Sequence, residues 1–215
     1  MHLSSILSRF SEPETLKMAK LGRELRAQGI DIIDLSLGEP DFDTPEHIKQ
    51  AAKKAIDDNW SHYTPVPGYA DLREAVCTKL KRDNNLDYKP ENIVVSTGAK
   101  QTLANAVLAL VDDGEEVIIP TPYWVTYSEL VKIARGKVVE VHTSLESGFK
   151  ISPAQLEAAI TPRTKAFLFS SPCNPSGAVY NKAELAALAE ILRKHPEIFI
   201  LSDEIYEYIN FVGKH

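Results

Sequence analysis

The chain has 215 residues, 44% hydrophobic and 25% charged, with 10 Gly and 13 Pro; this is enough apolar material for a sizeable core, and it excludes collagen-like and disordered chains. Lys and Arg number 24 against 30 Asp and Glu, a net charge of −6 with both signs interspersed, which argues against nucleic acid or an anionic membrane as the main partner. Cys77 and Cys173 make neither a disulfide framework nor a zinc pattern, and no apolar run approaches the ~18 residues of a membrane span, so a reducing, cytoplasmic setting is expected.

Residues 1–44 read as a unit of their own, part of a smaller domain, and 45–215 as a larger one. The first has a helix over Thr15–Gln28, a short strand over Ile32–Leu37 and the turn Gly38-Glu39-Pro40-Asp41; Thr15 reads as a helix start. Two amphipathic helices follow, over Pro45–Asp58 and Tyr69–Asn84. Between them Trp60 to Gly68 carries paired prolines and a glycine, which forbid regular structure and predict an ordered aromatic loop.

From about Lys89 onward short β-branched runs alternate with helical spacing. Strands are predicted at Ile93–Thr97, Val117–Pro120, Val138–Val141, Ala166–Phe169 and Ile198–Leu201. Helices are predicted over Lys100–Val111, Trp124–Ala134, Pro153–Ile160 and Asn181–His195, with Ser152-Pro153 as a good helix opening. The pattern predicts an α/β fold: a largely parallel sheet with helices on both faces, in three layers. Residues Tyr208 to His215 bring no closing helix, so the larger domain is expected to be incomplete and the chain part of a longer protein.

Ligands of such sheets bind outside the carboxyl ends of the strands, and several segments fall there. Ser96-Thr97-Gly98-Ala99-Lys100-Gln101 leaves a strand and enters a helix, so its backbone N–H groups either cradle an anion or merely make a tight turn. Ser171-Pro172-Cys173-Asn174-Pro175-Ser176-Gly177 holds Asn174 between two prolines, as a presented amide or as part of a rigid loop. Ser202-Asp203-Glu204-Ile205-Tyr206 offers a carboxylate with a phenol three residues on, and the carboxylate needs a cation, from a ligand or from a structural salt bridge. Trp124, after Pro122-Tyr123, is either core or a plate for a flat ring. Together an anion cradle, an amide, a carboxylate with a phenol, and an aromatic plate match a phosphorylated pyridine such as pyridoxal phosphate.

These blocks, with Gly38-Glu39-Pro40-Asp41-Phe42, stand in the order and spacing of the class I aminotransferases, and the whole chain resembles the first half of such an enzyme, of the bacterial aspartate aminotransferase type. The resemblance implies pyridoxal 5'-phosphate as cofactor and transfer of an amino group between an amino acid and a 2-oxo acid. It implies that Gly98, Ala99 and Lys100 hold the phosphate, that Trp124 stacks on the ring, and that Asp203 pairs with the ring nitrogen. It further implies that Asn174 and Tyr206 bond the ring's phenolic oxygen, that Gly38, Trp124 and Asn174 meet the substrate, and that Tyr63 reaches the phosphate of the neighbouring subunit in a homodimer. Cys173 and Ser176 depart from the family's commoner Asn and Thr without disturbing the loop. The family's Schiff-base lysine and its substrate-binding arginine lie beyond His215, so no catalytic residue is assigned and the 215 residues are expected to be inactive alone. A lyase or synthase on the same scaffold, and a non-catalytic binding module, remain alternatives.

Overall fold

The structure is a computed structural model that describes residues 3–9, 14–33, 35, 38, 40–211 and 213. Contact density divides the chain into one unit of Glu12–Ser96 and another of Met1–Ser11 with Thr97–His215.

The first unit holds helices α1 (Glu14–Ala27), α2 (Glu46–Asp57) and α3 (Ala70–Asn84), close to the expected spans. Neither α2 nor α3 has a buried residue. The aromatic loop between them is ordered: the Trp60 ring meets Tyr69 edge-on at 5.0 Å, and the Val95 N–H donates to the Pro67 carbonyl at 3.0 Å. Gly68 sits at φ +97, and a Cβ there would lie 2.8 Å from Cβ of Val95, so both backbone and space demand glycine.

Two expected strands are corrected. Ile93–Ser96 runs without a ladder, because Val95 spends its N–H on a loop carbonyl and no strand pairs with the segment among the described residues. Of the expected strand 32–37, positions 34, 36 and 37 lie outside the described residues, as does Glu39 of the following turn. Ile32, Ile33 and Leu35 are not in a strand, and Ile33 and Leu35 are 92% and 91% exposed, so no burial rewards extension there.

The second unit contains the sheet. Strand β1 (Glu116–Pro120) is buried along its whole length, as an interior strand must be. It pairs in parallel with β2 (Lys137–Val141) on one side and β3 (Thr164–Ser170) on the other, and β3 pairs in parallel with β4 (Phe199–Asp203). The described sheet therefore has the order β2-β1-β3-β4, with β2 and β4 as half-exposed edges.

Because successive strand residues face opposite ways, each interior strand feeds two cores. Val117, Ile119, Ala166 and Leu168 pack with Leu103 and Val107 of α4 (Ala99–Leu110) and with Tyr127 and Val131 of α5 (Thr126–Ile133). Ile118, Phe167 and Phe169 pack with Leu156 of α6 (Pro153–Ala159) and with Leu188 and Ile191 of α7 (Lys182–Leu192). Helices thus cover both faces, and the expected three-layer α/β architecture is what the chain adopts. The Ser152-Pro153 opening is also as expected: Ser152 Oγ accepts the Gln155 N–H at 3.2 Å, and Gln155 Oε1 accepts the Ser152 N–H at 3.0 Å.

Candidate functional site

Four parallel strands put their carboxyl ends on one rim, where Pro120, Ser170 and Asp203 close β1, β3 and β4. Ser170 and Asp203 are register partners there. The loops that leave the rim carry the candidate side chains.

Gly98 is the residue before α4 and has φ +83, a conformation that side chains other than glycine's rarely adopt. The Gln101 side chain accepts the Thr97 N–H at 2.6 Å and closes the turn. Ala99 and Lys100 begin the helix, so their N–H groups have no carbonyl partner within it and face outward with the positive end of the helix dipole.

The loop after β1 turns through Thr121-Pro122 into Tyr123 and Trp124. Lys100 Nζ stands over the Trp124 ring, 4.9 Å from its centroid. The edge of Trp124 meets Tyr127 at 5.8 Å, and the Tyr127 hydroxyl donates to Asp203 Oδ2 at 2.7 Å. An unbroken row of contacts therefore joins the start of α4, through Trp124 and Tyr127, to the carboxylate at the end of β4.

Asp203 is half-buried, and its other oxygen, Oδ1, accepts the Ile205 N–H at 3.2 Å. Among the described residues no Lys or Arg pairs with it, so the structural salt bridge left open from the sequence is not what holds it. The loop after β3 is tied down by Gly177 N–H to Cys173 O at 2.7 Å, and Cys173 Sγ lies 3.4 Å from the Pro122 carbonyl, linking two rim loops. Asn174 and Tyr206 line one concavity of about 260 Å³ with Pro172, Cys173 and Asn210.

The structure thus brings together Lys100, Trp124 and Asp203 in one row, with Gly98 and Ala99 at its start, and Asn174 and Tyr206 in one concavity. Gly38 and Tyr63 belong to the other unit, and Tyr63 is fully exposed. Sequence reasoning missed Tyr127. The one available signal was its position three residues after Trp124, whose carbonyl, just before α5, accepts the Tyr127 N–H at 2.9 Å; its partner Asp203 is 76 positions away. Burial, and then the Asp203 carboxylate beside it, push the Tyr127 phenol well above its usual range, so it stays a neutral donor.

The residues fit the cofactor that the pattern implies. Outward N–H groups at a helix start suit a phosphate, and a carboxylate without a cation suits a protonated ring nitrogen. Among the described residues no cluster could hold a metal ion, and no helix is long and apolar enough to cross a membrane.

The family profile for class I and II aminotransferases matches residues 30–214. The aspartate/prephenate aminotransferase of Cereibacter sphaeroides is 52% identical over 209 residues, 97% of this chain and 52% of that protein. The aspartate aminotransferase of Bacillus subtilis is 47% identical over 214 residues, 100% of this chain and 54% of that protein. The aspartate aminotransferase of Thermus thermophilus, solved with maleate, superposes with a TM-score of 0.96 at 45% identity, covering 100% of this chain and 56% of that one. The chain spans about half the length of the curated relatives it matches.

Proposed function

The chain belongs to the class I and II aminotransferase family, and from that premise we propose that the full-length protein uses pyridoxal 5'-phosphate to move an amino group between an L-amino acid, aspartate or one like it, and a 2-oxo acid. The observation that carries this reading is Asp203, a half-buried carboxylate on the rim, held by two neutral donors and paired with no Lys or Arg among the described residues. Such a group is costly unless a cation arrives, and a protonated pyridine nitrogen is one.

Bound at this rim, the cofactor supplies an electron sink for the α-carbon of the amino acid. The residues of this chain bind and orient it. Backbone N–H groups of Gly98, Ala99 and Lys100 bind the phosphate at the start of α4. Trp124 offers a flat face to the ring, and Asp203 keeps a proton on the ring nitrogen by favouring its charged form. Asn174 and Tyr206 hydrogen-bond the phenolic oxygen, and Asn174 also meets the substrate carboxylate. We extend the proposal to a homodimer in which the exposed Tyr63 serves the neighbouring subunit. The two free cysteines suit a cytoplasmic setting.

Proton movement at the α-carbon needs an amine as acid and base. Lys100 is held over Trp124, and Lys132, Lys137, Lys150, Lys165 and Lys194 each pair with a carboxylate. We propose that this amine comes from outside residues 1–215, and that these residues alone do not turn over substrate.

The test is an assay of the full-length protein with aspartate as donor and 2-oxoglutarate or prephenate as acceptor; prephenate is included because of the names of the relatives. Asp203→Asn is expected to lower kcat by about 10²–10³-fold, as loss of a preorganised charge at the reacting group does. Unchanged kcat in that variant, or no amino transfer by the wild type, overturns the reading.

A further inference from the structure

Tyr127 is among the largest fully buried side chains of the protein, at 1% exposure, yet it ends in a hydroxyl pointed at the rim. Its ring is fixed from several sides. Tyr123 stacks on it at 6.4 Å, Trp124 meets it edge-on at 5.8 Å, and Val117, Leu168 and Val131 belong to the same core. A ring held this way cannot rotate its hydroxyl away, so the 2.7 Å bond to Asp203 Oδ2 is set by packing rather than by the local chain of Asp203.

The carboxylate of Asp203 is lightly held by its own loop. The Asp203 backbone is paired with Ser170 on β3, but the residue is the last of an edge strand in which Ile200, three residues earlier, is 53% exposed. Apart from Tyr127, the bond that orients its carboxylate among the described residues is the 3.2 Å contact from the Ile205 N–H, two residues on in the same loop. Tyr127 is the group that ties this carboxylate to the rigid core. Burial and the adjacent carboxylate keep the phenol protonated, so the direction of donation does not reverse with pH.

We propose that Tyr127 is a positioning residue for the cofactor reaction: its hydroxyl fixes the plane of the Asp203 carboxylate and so the strength with which Asp203 pairs with the ring nitrogen. This rests on the reading of Asp203 given above. A looser pair leaves less positive charge on the ring nitrogen. Groups conjugated with the ring then hold their protons more tightly.

The test uses Tyr127→Phe in the full-length protein, which removes one oxygen and keeps the ring, with Tyr123→Phe as control because that phenol donates to Glu140 instead. Tyr127→Phe is expected to bind pyridoxal phosphate about tenfold more weakly, as loss of a charge-assisted hydrogen bond implies. The pH midpoint of the bound cofactor's near-visible absorption band is expected to move upward, and Tyr123→Phe to match the wild type. Wild-type affinity and midpoint in Tyr127→Phe overturn the proposal. If the wild type binds no pyridoxal phosphate, the proposed function falls, and ligand-free crystal structures decide the positioning claim. An Asp203 carboxylate that keeps its wild-type plane in Tyr127→Phe overturns it, and one that turns supports it.

Discussion

Glu116 and Arg163 meet at the end of the sheet away from the candidate site, where the carboxylate of Glu116, 1% exposed at the start of β1, receives Nη2 of Arg163 at 2.7 Å. Thr161 Oγ1 donates to the second carboxylate oxygen at 2.6 Å, and Lys137 Nζ adds a contact at 3.2 Å. One end of the sheet therefore carries a satisfied carboxylate and the other, at Asp203, a carboxylate that no Lys or Arg among the described residues pairs with.

The first prediction concerns stability against acid. The Thr161 hydroxyl, with Arg163 and Lys137 behind it, outweighs burial and holds Glu116 at about 2, down from the ordinary 4.5. A group whose pKa is lowered by folding stabilises above its unfolded value and loses that contribution as pH falls through its folded one. The contribution is therefore whole above about 4.5 and disappears between there and about 2. Because Arg163 and Lys137 are each 62% exposed, its size is discounted to on the order of 2 kcal/mol. Urea denaturation of Glu116→Gln should show that loss near neutral pH and a flatter profile in acid; a parallel pair of profiles for variant and wild type refutes the assignment.

A second prediction follows from Ser170, which is 5% exposed and whose Oγ, though near enough to the Tyr127 phenol to act on it, makes no hydrogen bond of good geometry among the described residues. A desolvated hydroxyl without a partner costs free energy, so Ser170→Ala should be neutral or stabilising by up to about 1 kcal/mol. Denaturant midpoints measure this. Destabilisation instead would mean that Ser170 Oγ bonds the Tyr127 hydroxyl, or a water in the cavity of about 10 Å³ that the two line with Tyr180.

Gly68 supplies a third. An alanine there would suffer both the φ of +97 and a Cβ 2.8 Å from the branched side chain of Val95. Gly68→Ala should destabilise the protein by about 1–3 kcal/mol. Adding Val95→Gly, which takes away Cβ and both Cγ atoms, removes the collision but not the backbone cost at position 68, so the double variant should recover part of the loss beyond what additivity allows. Strict additivity of the two changes, read from thermal or denaturant unfolding, would show that the collision is absent.

The expectations drawn from local signals were met where the structure itself is local. Ser152-Pro153 opened a helix because one serine oxygen and one proline ring decide that turn by themselves. The strands at Val117, Val138, Ala166 and Ile198 were legible because their apolar runs are short and bounded by helices of clear period. Ile93–Thr97 has the same composition and forms no strand here, since a ladder depends on what lies alongside, which spacing does not encode. The site shows the same division. The order of strands and helices placed Trp124, Asn174 and Asp203 on the rim, but the bond between Tyr127 and Asp203, and the ammonium of Lys100 over Trp124, depend on packing between distant segments.

The last prediction separates two roles within one residue. Lys100 offers a backbone N–H at the start of α4 and, through its side chain, an ammonium held over the Trp124 ring. If the phosphate is gripped by the helix start, the N–H does the binding and the ammonium serves mainly to steady the indole, a contact worth about 0.5–1 kcal/mol. Lys100→Met keeps the N–H and should hold cofactor affinity within about fivefold of wild type, the range that energy allows. Trp124→Ala removes both the plate and the ring that packs against Tyr127, and should weaken binding by at least tenfold, roughly the worth of a lost aromatic contact and its buried area. Titration of the full-length protein with pyridoxal phosphate, followed by absorbance, compares the two directly. A larger loss in Lys100→Met than in Trp124→Ala would show that the ammonium itself, rather than the helix start, is the anion's principal partner.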